Sequence, residues 1–389
     1  MGICASNKYA EEEEEYDGNE GSEEEEEGLE DEAYADDVRV QQLNQGGLKL
    51  DSTDILELLS RNDKCITRLT DAKKPRGPGH ASCNEQCGKA SNDAWVEKLS
   101  TALTNNTNIA ELCFGGGHQL STKGIEYLTK SLENNQSLEK LAMTFGTPGI
   151  GPEGTLALSK WLANNTTLTI LDLTDNNLGN EGAVAISNAL TSGLSIKTLT
   201  LPSNKIGVDG ITALSKALNV ATKLASVQLE NNIIGDEGTI ILAKALVENN
   251  SVETLMLDSN QIKQKGAIAL ADMLKTNNTL SRLSLESHTI MHENDKVNDI
   301  DNEGTIAFAE MLKVNKTLRF LNLNDAGTHP ESVETLAQVL NSGTNETLLS
   351  LKVTPNDHHL IDSACKRNMT SHRAAKRVRA KWLRKATHT

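Results

Sequence analysis

The chain has 389 residues, of which 37% are hydrophobic and 3% aromatic, and its formal net charge is −16. No uninterrupted apolar run reaches 18 residues, and no apolar segment follows a basic start, so the sequence predicts neither a transmembrane helix nor a secretory signal. The low aromatic content and the small number of prolines favour a long repeat array with Leu, Ile and Ala in its core.

The first residues carry a lipidation pattern. Gly2 follows Met1, and Ser6 lies four residues later, which is the M-G-x-x-x-[ST] arrangement of N-myristoylated proteins. One myristoyl chain binds a membrane only weakly, so a stable anchor needs a second signal, and Cys4 is a candidate for palmitoylation. The sequence therefore predicts dual acylation at Gly2 and Cys4 and a peripheral position at the cytoplasmic face of a membrane. The alternative is an ordinary acidic N-terminus with an accidental Met-Gly start.

The acidic charge is concentrated in one segment. Up to Asp37 the chain contains 17 acidic residues and one basic residue, Lys8, so this segment accounts for the whole net charge. A run of like charges repels itself and stays extended. We predict that residues 1–45 form a disordered acidic tail that tethers the folded body to the anchor.

The central part of the chain is repetitive. Four consecutive segments of 28 residues, which start at residues 168, 196, 224 and 252, share one pattern. The same frame extends to units that start at residues 109, 138, 280, 318 and 348, with a degraded unit near 66, which gives about nine or ten repeats. We predict one solenoid over residues 46–365, with loop insertions near 73–92 and 289–301.

Each unit reads as a strand followed by a helix. The stretch Leu171–Leu173 alternates apolar and polar residues as a short strand does, and Asn176 is predicted to bond the backbone groups at the strand exit. Apolar residues between Glu181 and Leu190 follow helical spacing. Gly182 recurs every 28 residues, which predicts a close approach or an unusual dihedral angle.

The 28-residue period and the LxxLxLxxNxIGxxG core resemble the ribonuclease-inhibitor-like class of leucine-rich repeats over roughly residues 50–365. The class includes ribonuclease inhibitor, Ran GTPase-activating proteins, NOD-like receptors and tropomodulins, and residues 54–69 and 308–322 look similar to tropomodulin segments. The resemblance implies an α/β fold, a right-handed horseshoe with parallel strands on the concave face and helices on the convex face.

The concave face is where such a scaffold is expected to bind its partner. One repeat position gives Glu230, Asp258 and Glu286 on three successive strands, about 4.8 Å apart. Like charges at this spacing repel one another unless a cation neutralises them, so the column predicts a docking stripe for a basic protein. A solvated acidic face is the alternative. The residues that border the stripe are Asp172, Gln228, Met256 and Asn322. A second, mixed patch would consist of Arg282, Arg319 and Phe320.

One segment partly matches a calcium-binding EF-hand loop, with weak candidate ligands at Asp299, Asp301, Glu303 and Glu310. Glu303 and Gly304 align with the ordinary repeat, and the two aspartates fall in the predicted insertion. We therefore predict a surface loop here and no metal site.

The segment 366–389 is a basic tail. After Asp362 the chain has nine basic and no acidic residues, and the spacing of its apolar residues fits a cationic amphipathic helix. Such a helix is typical of membrane surfaces and calmodulin targets; it could also pair with the acidic regions of this chain or simply cap the last repeat. The predicted helix residues are Arg373, Lys376, Arg377, Val378, Arg379, Lys381, Trp382, Arg384 and Lys385.

These observations together predict a non-catalytic scaffold or adaptor that binds a protein through its concave face. The sequence shows no nucleotide-binding, nucleophile or zinc-protease motif, so we expect no enzyme, no cofactor and no small-molecule substrate. Residues 38–365 carry 28 basic against 37 acidic residues, which argues against nucleic acid. We expect a monomer. The resemblance leaves two alternatives open: a Ran-type regulator of a small GTPase and a tropomodulin-like binder of actin pointed ends.

Overall fold

A computed structural model describes residues 56–57, 59–61, 68–70, 80–82, 93–115, 120–146, 148–287, 297–354 and 361–372. In this part of the chain short strands alternate with helices in the predicted frame. None of the helices found there is both long and apolar enough to cross a bilayer. The lipidation residues Gly2 and Cys4 and the acidic tail lie outside the described residues.

The strands form a single parallel sheet, in which each strand pairs with its neighbours without a register break. Most contain only three residues, since each repeat uses a single LxL segment. The strands are β1 (Arg68–Thr70), β2 (His80–Ser82), β3 (Glu111–Gly115), β4 (Lys140–Thr144), β5 (Ile170–Asp172), β6 (Thr198–Thr200), β7 (Ser226–Gln228), β8 (Thr254–Met256), β9 (Arg282–Ser284), β10 (Phe320–Leu323) and β11 (Ser350–Val353).

The N-terminal edge of the sheet differs from the prediction of a loop at 73–92. Strand β2 lies inside this insertion and pairs with β1 on the side opposite to β3, so it becomes the edge strand. The end of a solenoid presents unpaired backbone groups, and an added strand satisfies those of β1.

Helices pack on one face of the sheet, and consecutive helices contact one another. Connections that run from a strand through a helix to a parallel strand are almost always right-handed. This preference agrees with the right-handed solenoid predicted from the sequence. The helices are α1 (Asp93–Leu103), α2 (Thr122–Ser131), α3 (Gly151–Leu162), α4 (Gly179–Thr191), α5 (Val208–Leu218), α6 (Gly235–Leu246), α7 (Gln264–Leu274), α8 (Asp301–Val314), α9 (Pro330–Asn341) and α10, residues 361–372.

The core runs without interruption between the strand layer and the helix layer. The central residue of each strand points into it, and Leu171, Leu199 and Leu255 are fully buried. Each repeat buries its apolar face only against its neighbours, so the stability of the array depends on the contacts between adjacent repeats.

Buried asparagines join the repeats at the strand exits. Asn204 Nδ2 donates to Leu173 O at 2.8 Å and to Pro202 O at 3.0 Å, while its Oδ1 accepts the backbone N–H of Asn176 at 2.9 Å. This confirms that the repeat asparagine bonds the backbone at the turn. The asparagine ladder consists of Asn176, Asn204, Asn232, Asn260 and Asn298, all buried.

The second insertion ends earlier than predicted. Asn298 occupies the ladder position, and Asp301 at the start of α8 has φ 58°, which matches Gly179 (63°) and Gly235 (62°) at the same place in their repeats. Aspartate tolerates this left-handed conformation better than most residues. Asp299 and Asp301 therefore belong to the ordinary repeat, and the prediction that they lie in the insertion is wrong.

The recurring helix glycine serves a close approach. A Cβ atom on Gly210 would lie 2.8 Å from Ile206 Cγ2 and 3.0 Å from both Ala183 Cβ and Asn180 Oδ1. Helix α5 can approach α4 this closely only because the glycine has no side chain.

Helix α10 closes the last repeat. Arg367 Nη2 donates to Leu340 O at 2.9 Å, and Asn368 Nδ2 donates to Leu348 O at 2.8 Å. These side chains of α10 therefore satisfy backbone carbonyl groups at the end of the last repeat. The helix continues to residue 372 and thus crosses the boundary predicted at 365.

Candidate protein-binding surface

The strand face is the surface of the sheet that points away from the helices. It is formed by the residues on either side of each buried central strand residue, and these flanking residues are half-buried in β5 to β8. Strand register brings one row of side chains into line across the repeats. This row consists of Asp172, Thr200, Gln228, Met256, Ser284 and Asn322.

Four carboxylates cluster on and beside this face, and we call Asp172, Glu230, Asp258 and Glu286 the acidic stripe. Asp172 lies on β5, and the other three follow β7, β8 and β9 at the strand exits. Backbone contacts fix their spacing, since Asn231 N–H donates to Asp258 O at 2.8 Å and Ser259 N–H donates to Glu286 O at 2.8 Å. The structure thus brings the predicted stripe residues together on one face.

Two members of the acidic stripe, Asp258 and Glu286, accept hydrogen bonds from neutral donors, where the sequence suggested a cation. Asp258 is buried, and its Oδ1 accepts the backbone N–H of Glu286 at 2.7 Å. Glu286 Oε2 accepts Asn322 Nδ2 at 2.7 Å, and Glu286 Oε1 accepts Asn324 Nδ2 at 3.2 Å. Asp258 is therefore less accessible than a solvated docking residue would be.

Asp172 lies at the far end of the acidic stripe. Its Oδ1 accepts the backbone N–H of Thr174 at 3.0 Å and the Thr174 hydroxyl at 2.6 Å. Burial raises the pKa of this carboxyl group, while the Thr174 hydrogen bonds and the charge of Lys140 act in the opposite direction. Lys140 is thus a cation near the stripe that the sequence analysis did not single out.

Glu230 is the member of the acidic stripe whose side chain lacks a hydrogen bond at one of its oxygens. Its Oε2 atom is buried and has no hydrogen-bond partner. Burial raises the pKa of Glu230 to about 8, a hydrogen bond from its own backbone N–H opposes this, and the Asp258 and Asp172 charges raise it further. Glu230 is therefore largely protonated at neutral pH.

The mixed patch borders the acidic stripe on strands β9 and β10. The Arg282 guanidinium lies 3.9 Å from the centre of the Phe320 ring, in the register pair of the two strands. Burial lowers the pKa of Arg282, although a guanidinium stays charged at neutral pH. Arg319 Nη1 lies 3.3 Å from His372 Nδ1, so α10 covers one side of the patch.

Three relevant residues escaped the sequence analysis because their partners are distant in the chain. His372 lies beside Arg319, Thr200 Oγ1 donates to Gln228 Oε1 at 3.4 Å, and Lys140 acts on Asp172. The position of Thr200 could have been found by extending the strand column through β6, whereas no pattern in the sequence signals the contact of His372.

The metal candidates are not arranged as an EF-hand loop. Asp301, Glu303 and Glu310 lie on helix α8, whereas the first half of an EF-hand loop is not helical. Glu310 pairs with Lys313 at 2.5 Å, and Asp301 lies 3.3 Å from His329. No group of three potential metal ligands occurs among the described residues. The predicted basic helix residues from Arg373 to Lys385 lie outside them.

Comparison with known proteins agrees with this architecture. A family model described as Leucine Rich repeat matches residues 164–187 and 248–271, and each match covers one strand and the first part of the helix that follows it. No match was found among curated proteins.

The chain is similar to several solved structures. The actin-binding site 2 of leiomodin-1 is 24% identical, with 46% of this chain and 96% of that chain covered and a TM-score of 0.37. The tropomodulin C-terminal domain of Caenorhabditis elegans is 17% identical, with 44% and 98% covered and a TM-score of 0.34. Rad7, from the yeast complex with Elc1, is 16% identical, with 82% and 89% covered and a TM-score of 0.49.

The repeat pattern, the parallel sheet with its helix layer and the family match define the class. The chain is a leucine-rich-repeat protein, and its 28-residue strand–helix unit is of the ribonuclease-inhibitor-like type. Repeats of this kind generally serve protein binding on an extended surface.

Proposed function

We propose that this protein is a non-catalytic scaffold that binds a basic segment of a protein partner on its strand face. The observation that carries the proposal is Glu230 Oε2, a buried carboxyl oxygen without a hydrogen-bond partner, one strand away from Asp258 and two strands away from Asp172. A buried polar atom without a partner is costly, and a ligand that supplies a donor removes that cost. Lysine and arginine side chains act only as hydrogen-bond donors. Their positive charge also complements the acidic side chains of the stripe.

The same surface suggests how a partner would be oriented. The cations of the partner would face the acidic stripe between β5 and β9, whereas Arg282 and Phe320 offer an arginine–aromatic pair at the neighbouring edge. Such pairs contribute strongly where an interface excludes water. The partner would therefore lie across the strands.

Partner capture with the full chain tests this proposal. A variant with Asp172→Asn, Glu230→Gln and Glu286→Gln should lose at least about tenfold in captured protein, because even one close charge pair at an interface is worth about 1.5 kcal/mol or more. The matched control is Glu153→Gln, Glu181→Gln and Glu237→Gln, which removes three exposed carboxylates from the helix layer. Equal capture by both variants, with the same proteins identified by mass spectrometry, would overturn the proposal.

The second part of the proposal is that acyl groups on Gly2 and Cys4 hold the scaffold at the cytoplasmic face of a membrane. It is supported by the M-G-x-x-x-[ST] pattern and by the need for two acyl chains. Intact-mass analysis and membrane fractionation of the native protein beside Gly2→Ala and Cys4→Ser test it. We expect myristate plus palmitate on the native chain and soluble variants. A native chain that keeps Met1 and stays soluble would contradict the anchor.

The regulator of a small GTPase and the binder of actin pointed ends stay predictions. A GTP hydrolysis assay and a pointed-end actin depolymerisation assay would test them, each with the stripe variant beside the wild type. A loss of either activity in the stripe variant would favour that alternative.

A further inference from the structure

The basic segment 373–389 follows His372, which contacts Arg319 of the mixed patch. Helix α10 is fixed on the last repeat by Arg367 and Asn368, and His372, the last of its described residues, lies 3.3 Å from Arg319. Arg319 directly precedes Phe320, the first residue of β10. The point from which the basic segment continues is therefore next to the mixed patch and on the side of the acidic stripe that includes Glu286.

The segment is long enough to reach every carboxylate of the stripe. Neighbouring strands are about 4.8 Å apart, so β7 lies about 14 Å and β5 about 24 Å from β10 across the sheet. The strand direction adds about 15 Å between the level of Arg319 and the strand exits. The seventeen residues 373–389 span up to about 56 Å when extended, and about 26 Å as a helix. An extended segment thus covers the whole stripe, and a helix covers its nearer part.

The charges are complementary. The segment contains seven basic residues and no acidic residue. The stripe contains four acidic side chains, of which Asp258 is buried and hydrogen-bonded, and Glu230 Oε2 lacks a donor. Arginine and lysine side chains supply only donors, so they match this need.

We propose that residues 373–389 of this chain lie along the acidic stripe and occupy it until a basic partner displaces them. The inference rests on the proposed function, because it assigns the same stripe to a cationic ligand, and it adds regulation of that site by the chain itself. A tethered segment has an effective concentration in the millimolar range. An external basic ligand must therefore displace the segment before it can bind the stripe. The glutamate-rich residues 11–27 are the alternative site in this chain to which the basic segment would bind.

Zero-length carbodiimide cross-linking of the full-length protein tests the contact directly. We expect isopeptide bonds from Lys376, Lys381 or Lys385 to Asp172, Glu230 or Glu286, with yields that fall at 0.5 M salt because the Debye length shortens. An equal mixture of light and isotope-labelled protein shows whether the bonds form within one chain. Links from these lysines only to residues 11–27, or to no carboxylate of the stripe, would overturn the proposal.

A binding measurement provides the second readout. The probe is a fluorescent synthetic peptide with the sequence of residues 373–389. A full-length variant with the seven basic residues of the segment changed to Gln should bind the probe at least about tenfold more tightly than wild type, since its stripe is empty. Adding Asp172→Asn, Glu230→Gln and Glu286→Gln to that variant should abolish the gain. Equal affinity of wild type and the Gln variant would overturn the intramolecular contact.

These results separate the two proposals. Cross-links to the stripe together with unchanged partner capture by the stripe variant would reject the proposed partner site and retain the intramolecular contact. Stripe-dependent partner capture without the cross-links would do the reverse.

Discussion

Asn204 donates its backbone N–H to Asn232 Oδ1 at 3.0 Å, across the boundary between two repeats. Asn232 Oδ1 also accepts the backbone N–H of Ile206 at 2.9 Å, and its Nδ2 donates to Leu201 O at 3.0 Å. One buried amide thus satisfies both donors and acceptors of the preceding turn. The ladder explains how a sheet with three-residue strands holds its register over many repeats.

The ladder predicts a graded series of stabilities. Asn204→Ala removes two donors and one acceptor that serve four backbone groups, so we expect the free energy of unfolding to fall by about 3 kcal/mol. Asn260→Ala should cost about 1 kcal/mol less, because Asn260 Oδ1 has no hydrogen-bond partner. The exposed Asn250→Ala should change stability by less than about 0.5 kcal/mol. Urea-unfolding midpoints measure the series, and equal losses at Asn204 and Asn260 would contradict the ladder account.

The recurring helix glycines predict a second difference. Gly210→Ala would press against both Ala183 and Asn180, whose Oδ1 accepts the backbone N–H of Gly207 at 2.7 Å at the start of α5. We expect a loss of about 2 kcal/mol from this overpacking. Gly238→Ala meets only Ile234 Cγ2 within 3.4 Å, and the gain in helix propensity of about 1 kcal/mol offsets that contact. Thermal unfolding of both variants measures this, and a larger loss at Gly238 would contradict it.

Glu230 predicts a pH dependence of stability. Its folded pKa of about 8 is well above the value of about 4.3 that glutamate has in an unfolded chain. The folded state therefore binds the extra proton between these values, so this contribution to stability is complete below about pH 4.3 and is lost as pH rises through about 8. The slope is at most about 1.4 kcal/mol per pH unit.

Glu230→Gln should flatten this dependence and raise the unfolding midpoint above pH 8, because glutamine resembles the protonated acid. The exposed Glu253→Gln is the control and should leave the slope unchanged. Urea titrations at pH 6, 7, 8 and 9 measure the slopes. A Glu230→Gln variant that keeps the slope of the wild type would show that Glu230 is not the group responsible.

The same residue predicts proton-linked binding. A cationic ligand at the acidic stripe favours the ionised form of Glu230, so binding lowers its pKa and releases a proton. The affinity for the 373–389 peptide, measured with the variant whose own segment is neutralised, should rise between pH 6 and pH 8 and level off above about pH 8. Glu230→Gln should remove the rise. An affinity that falls over this range would exclude a role for Glu230 in the binding of cations.

The repeat frame was predictable because it depends on local patterns. The LxL strand, the exit asparagine and the helix glycine each recur every 28 residues, so strand register, core side chains and the face of the stripe follow from the period. The burial of Asp258 was not predictable, because it depends on the position of the Glu286 backbone one repeat away. Strand β2 likewise results from the unpaired edge of β1, and an insertion sequence does not reveal such an edge.

One departure in the ladder shows how a single residue changes a turn. The residue that directly follows a ladder asparagine has a positive φ in three repeats: 53° at Asn177, 57° at Lys205 and 62° at Gln261. Ile233, at the same position, does not have a positive φ. A β-branched residue is strongly disfavoured there. The Ile233 N–H instead donates to Ile206 O at 3.0 Å, and Asn260 Oδ1 remains without a partner. The sequence contains the cause, but the consequence appears only when neighbouring repeats are stacked.

Site-specific photo-cross-linking in the native cell tests the central claim, binding on the strand face, most directly. A benzophenone amino acid placed at Thr200, between Asp172 and Gln228 in the strand-face row, is compared with one at Leu156, which is 53% exposed on the helix layer. We predict a cross-linked partner from Thr200 whose yield falls with the stripe variant, and no cross-linked partner from Leu156. A partner captured from Leu156 and not from Thr200 would contradict the account.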